Sequence, residues 1–94
     1  MPLLYETLDD TAQVHIDGEL TIYTAADLAA QLLPRLGATP HMELDLSQVT
    51  EMDGAGLQLL MMVQREAPKA GTQLTLTGYS NAVTETLALC NLVA

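Results

Sequence analysis

Ninety-four residues suit one domain, and a composition that is 49% apolar with three aromatics, all Tyr, leaves Leu, Val, Ile, Ala and Met to fill its core. The formal net charge is −9, with Arg35, Arg65 and Lys69 as the only Lys or Arg residues; that excludes phosphate neutralisation on nucleic acid and disfavours docking on anionic lipid. A basic protein partner would instead be steered towards such a surface.

No run reaches the roughly 20 apolar residues of a membrane span, so direct membrane insertion is not expected. MPLLYETLDD has no basic region leading an apolar one, so no signal peptide is expected and a cytoplasmic location is the default. Cys90 is the single cysteine and lies in an apolar helical pattern, which makes it an inert buried thiol rather than a nucleophile.

In chain order, residues 3–8 and 12–16 read as two strands, with Asp9-Asp10 as the turn between them. Ala12, Val14 and Ile16 alternate with Gln13, His15 and Asp17; Asp17-Gly18 then marks a turn or bulge, and Leu20 and Ile22 briefly continue the apolar face. Thr24 opens a helix as N-cap, its hydroxyl expected to accept from the Asp27 N–H. Leu28, Leu32 and Leu36 form the buried stripe, and Pro34 ends or kinks the helix near Leu33.

A strand from His41 to Ser47 follows, with Met42, Leu44 and Leu46 on one face. A helix from about Gly56 to Ala67 is stopped by Pro68 and Gly71. Leu74 and Leu76 define a short strand, and Ser80 caps a last helix carrying Val83, Leu87 and Cys90 on one face. The expected fold is therefore a single α/β domain with a four-stranded mixed sheet and three main helices, in the order β-β-α-β-α-β-α, with parallel pairing across the β-α-β crossover. The middle helix is apolar around most of its circumference: one stripe packs on the sheet, while Leu59, Met62 and Val63 need a second cover, either another element or a partner.

No arrangement of residues carries a reaction. Asp9-Asp10 with Asp53 imitates a phosphoacceptor acidic cluster, but Asp9-Asp10 precede a strand and no lysine falls on a late loop. Gly54-Ala55-Gly56 fits only two glycines of a dinucleotide fingerprint, since the third position is Leu59. His15 and His41 have no ligand spacing, and no Ser or Cys has a His and an acid in a triad context, so neither a metal nor a cofactor is expected. Asp53 reads as the N-cap of the middle helix, and Asp45 as an acceptor for backbone N–H groups of the loop after its strand.

Gly18–Leu20 (GEL), Asp45–Ser47 (DLS) and Asp53-Gly54-Ala55-Gly56-Leu57 together resemble the bacterial STAS domain of anti-sigma factor antagonists, and the order and length match along residues 1–94. The resemblance implies a non-catalytic module that binds an anti-sigma kinase. In that family the residue after the motif Asp is a Ser or Thr whose phosphorylation abolishes binding. Gly54 stands at that position here and has no oxygen to modify; Thr21 stands where the family often has Asp.

The expected partner-binding set is Asp53, Gly54, Ala55, Gly56, Leu57, Leu59 and Met62. The stretch GELTIYTAADL with DLSQVTEMD also resembles STAS proteins of chemotaxis systems, so a chemotaxis or two-component protein is an alternative partner. Two other readings stay open: a STAS subunit of a lipid-transport ABC complex, and a phosphorelay protein using Asp53 or Ser47. A small-molecule sensor is a further option that no polar cluster supports.

Overall fold

The computed structural model describes residues 3–89. Its strands are β1 (Leu3–Leu8), β2 (Thr11–Leu20), β3 (His41–Met52) and β4 (Gln73–Thr77); its helices are α1 (Ala25–Leu32), α2 (Gly54–Lys69) and α3 (Asn81–Leu89). They follow in the expected order and form one four-stranded sheet, β1-β2-β3-β4. β1 and β2 are antiparallel, and β2/β3 and β3/β4 are parallel, so the sheet is mixed.

Period-two patterning puts Val14 and Ile16 of β2 and Met42, Leu44 and Leu46 of β3 on one sheet face, where they share a core with Leu28 and Leu32 of α1, Leu59, Leu60 and Val63 of α2 and Val83 of α3. The opposite sheet face carries Gln13, His15, Glu43, Asp45 and Thr75, which are half-buried or exposed. The helices thus cover one face and leave the polar one bare. Asp9 sits at φ 57 in the β1–β2 turn, a conformation that Asp tolerates better than most residues.

β3 is five residues longer than the alternation suggested, ending at Met52 rather than Ser47. Two irregularities explain this: the β2–β3 register shifts between His15 and Asp17 and again between Gly18 and Glu19. Each gives β3 one residue more than β2, so its buried residues step from Leu46 to Val49 and the period-two signal is lost while pairing continues. Gly18 of β2, beside the second irregularity, has φ 107, a conformation that glycine adopts without steric cost.

Pro34 acts as expected. α1 ends at Leu32 and passes into a 3-10 turn over Leu33–Arg35. Thr24 does not cap α1 through its side chain. Its hydroxyl turns back instead, accepting from the Thr21 N–H at 3.1 Å and donating to the Glu19 carbonyl at 2.9 Å. Ser80 does cap α3, accepting from the Val83 N–H at 3.3 Å. Cys90 lies outside the described residues.

Candidate functional site

β3 delivers the chain to α2 through Asp53, and the conformation of this residue decides the local geometry. Its backbone is extended (φ −129, ψ −172), and its Oδ1 accepts from the Gly56 N–H at 3.0 Å, the geometry of a helix N-cap. The helix therefore starts at Gly54, two residues earlier than the sequence suggested. The second oxygen, Oδ2, accepts from the N–H of Ile22 at 3.0 Å.

One carboxylate thus ties the start of α2 to the segment between β2 and α1. The Asp53 N–H strengthens the same link by donating to the Leu20 carbonyl at 3.4 Å. The Ile22 and Gly56 N–H donors hold the Asp53 carboxyl below its ordinary range.

The two flanking glycines differ in what surrounds them. A Cβ on Gly56 would lie 2.8 Å from the Leu20 carbonyl carbon and closer still to its oxygen, so α2 meets the end of β2 only because this position has no side chain. Around Gly54 nothing lies within 4 Å of such a Cβ, and its φ is not positive.

The segment that Asp53 restrains projects Ile22 and Tyr23 into solvent, 69% and 89% exposed. The Thr21 hydroxyl accepts from the Tyr23 N–H at 3.3 Å, and the Thr21 carbonyl accepts from the Thr24 and Ala25 N–H groups at 3.0 and 2.8 Å. These bonds fix the turn that carries the two apolar side chains.

A family model described as "Mlab, STAS domain" matches residues 3–93. The chain belongs to the STAS family. It is 31% identical over 86 residues to an anti-sigma-B factor antagonist of Staphylococcus epidermidis, covering 88% of this chain and 80% of that one. The unphosphorylated form of the anti-sigma factor antagonist SpoIIAA superposes with a TM-score of 0.77 at 18% identity, over 96% of this chain and 81% of the other. Its phosphorylated form gives 0.73. Mglu gives 0.70 at 19% identity over 78% of this chain; the STAS chain spans only 18% of Mglu, so this likeness concerns one part of a much longer protein. The superpositions carry the fold alone.

Within this STAS domain, the residues expected to meet a partner separate by burial. Gly54 is exposed, while Ala55, Asp53 and Met62 are half-buried. Gly56, Leu57 and Leu59 are buried. Gly56 is packed on Leu20, and Leu57 borders a hollow of about 330 Å³ between α2 and α3. Leu59 is 3% exposed and belongs to the core. The second apolar stripe of α2 is covered by α1, whose small Ala25 and Ala29 pack on the core and border the same hollow as Leu59 and Met62. The apolar α2 side chain left open is Met61, at 51%.

The sequence reading missed Ile22 and Tyr23 because it continued the apolar face of β2 through Leu20 to Ile22. Thr21 and Thr24, two hydroxyls flanking them, were the signal for a turn. Asp45 accepts from the Ser47 N–H at 2.8 Å, and its other oxygen pairs with His15 Nδ1 at 3.1 Å on the bare sheet face. The Ser47 bond is the main cause, and the His15 charge a lesser one, of a carboxyl held below its ordinary range. Among the described residues, no group of three His, Cys, Asp or Glu side chains could hold a metal, and no helix is long and apolar enough to cross a membrane.

Proposed function

We propose that this STAS chain is a non-catalytic protein-binding module of bacterial signalling, antagonist-like in fold, that docks a cytoplasmic partner through the edge formed by Ile22, Tyr23, Gly54, Ala55 and Met62. The observation that carries the reading is the Asp53 carboxylate, whose two oxygens fix the start of α2 and the exposed Ile22-Tyr23 turn against one another. Such a restrained apolar edge binds with little ordering cost. Tyr23, 89% exposed, is of the residue type that suits a binding hot spot.

Gly54 occupies the family's phosphoacceptor position, so the module binds without the usual switch. A partner of the anti-sigma kinase type would then be held constitutively. A chemotaxis or two-component protein is the partner we favour, since the missing hydroxyl removes the step on which a kinase-controlled sigma pathway depends. The second reading is a STAS subunit of a lipid-transport ABC complex. In the phosphorelay reading Asp53 would have to surrender two backbone hydrogen bonds to act as acceptor, which counts against it.

Isothermal titration against proteins encoded beside this one tests the proposal and separates the partner classes. Micromolar or tighter binding that Met62→Asp weakens is expected. Incubation with a cognate kinase and ATP should leave the intact mass unchanged; a stoichiometric phosphate adduct would replace this reading with a relay.

A further inference from the structure

Two hollows lie along α2 and share Met62. One, of about 280 Å³, is bordered by Ala26, Ala29, Ala55 and Gln58 near the start of the helix. The other, of about 580 Å³, is bordered by Leu33, Leu36, Arg65 and Lys69 near its end. Together they follow a helix of 16 residues, about 24 Å at 1.5 Å per residue. The base of the larger hollow is apolar, from half-buried Leu33, Leu36 and Met62.

The rim of the larger hollow departs from the charge of the molecule. The chain has three Lys or Arg residues against twelve Asp or Glu, and two of the three border this hollow. Glu66 is the one carboxylate on the same rim, and it accepts from both Arg65 Nε and Lys69 Nζ at 3.2 Å. Two cations sharing one carboxylate leave positive charge and unused N–H donors, and both side chains are 66% exposed. Arg35, the third cation, lies over the Tyr5 ring at 4.0 Å and donates to the Gln31 carbonyl.

We propose that this groove takes an amphipathic helix of the protein partner, with its apolar stripe on Leu33, Leu36 and Met62 and a carboxylate side chain between Arg65 and Lys69. The inference rests on the reading of α2 as a docking helix and extends the contact from its first turn to its last. Helix-in-groove recognition supplies apolar anchors at i, i+3, i+4 and i+7. A carboxylate on a guanidinium forms a charge-assisted bond that fixes the direction of the bound helix. The long-range field of a chain with net charge −9 favours cationic ligands, so a preference for an acidic one can arise only at a local cationic rim.

The test is an amide NMR titration of the full chain with two synthetic 15-residue helical peptides. They share one leucine stripe and differ only in carrying Glu or Lys beside it. The Glu peptide should shift Leu33, Leu36, Met62 and Arg65 and bind at least fivefold tighter than the Lys peptide. Arg65→Glu with Lys69→Glu, both on the exposed rim, should reverse that order while leaving the remaining amide spectrum in place.

Equal or tighter binding of the Lys peptide to the unmodified chain would overturn the proposal, as would shifts confined to another surface or no binding by either peptide. Phosphatidylglycerol vesicles that shift these amides where the Glu peptide does not would also overturn it, assigning the groove to lipid. Tyr23→Ala should leave peptide binding unchanged. Loss of partner binding in Tyr23→Ala without any peptide binding would therefore sink the groove and spare the docking edge; the converse pattern would sink the edge.

Discussion

Gly54 and Gly56 stand two residues apart in the first turn of α2, with the same side chain and opposite surroundings. Gly56 is pressed against the Leu20 carbonyl and is what lets helix and strand meet. Gly54 faces open space with an ordinary backbone. Glycine at the first is a packing requirement. At the second, the structure imposes none.

The comparison breaks most visibly at Gly56. Gly56→Ala should destabilise by about 3 kcal/mol, because overpacking against backbone outweighs the 0.5–1 kcal/mol that Ala gains over Gly in a helix. Chemical denaturation with the midpoint as readout would measure it. Next comes Asp53, which joins both halves of the site. Asp53→Ala should lower the midpoint by less than Gly56→Ala, and should speed amide exchange at Ile22 and Gly56 while leaving β4 protected.

Acid tests the same carboxylate. The folded-state pKa of Asp53 is depressed, so its stabilisation is present above the unfolded value, near 3.8, and is lost as pH falls through the folded value. Asp45 titrates in the same direction. Melting temperature should therefore fall below about pH 4, and the Asp53→Ala variant should show a shallower decline. The smallest effect is expected at Gly54: Gly54→Ser should stay within about 0.5 kcal/mol of the unmodified chain. A larger loss in the same denaturation experiment would show that the space around Gly54 is not free.

Much of this architecture was legible from residue patterns. Alternation placed the first half of β2, β4 and the first half of β3, while β2 continues past the expected Ile16 to Leu20; Asp53 was recognisable as a cap from its place before an apolar helical run. The second half of β3 was hidden because its bulges put Leu46 and Val49 three residues apart, which no period-two template matches.

The site was less legible than the fold. An α2 that is apolar all round does not reveal which stripe a neighbour covers; that depended on α1 approaching over Ala25 and Ala29, which buried Leu59 and left Met61 out. Ile22 and Tyr23 look like core residues in isolation. Only the three-dimensional turn, with Asp53 holding Ile22 from 31 residues away in sequence, turns them outward.

The most direct test of the proposed docking edge is to place a negative charge at Gly54. Gly54→Glu puts a carboxylate in the first turn of α2, where the helix dipole favours it, so the melting temperature should hold or rise slightly. Calorimetry with the cognate partner should show at least a tenfold loss of affinity in the same variant. Stability retained with binding lost is the result predicted here. Unchanged affinity would contradict the account, because it would mean that the partner never approaches the turn that Asp53 builds.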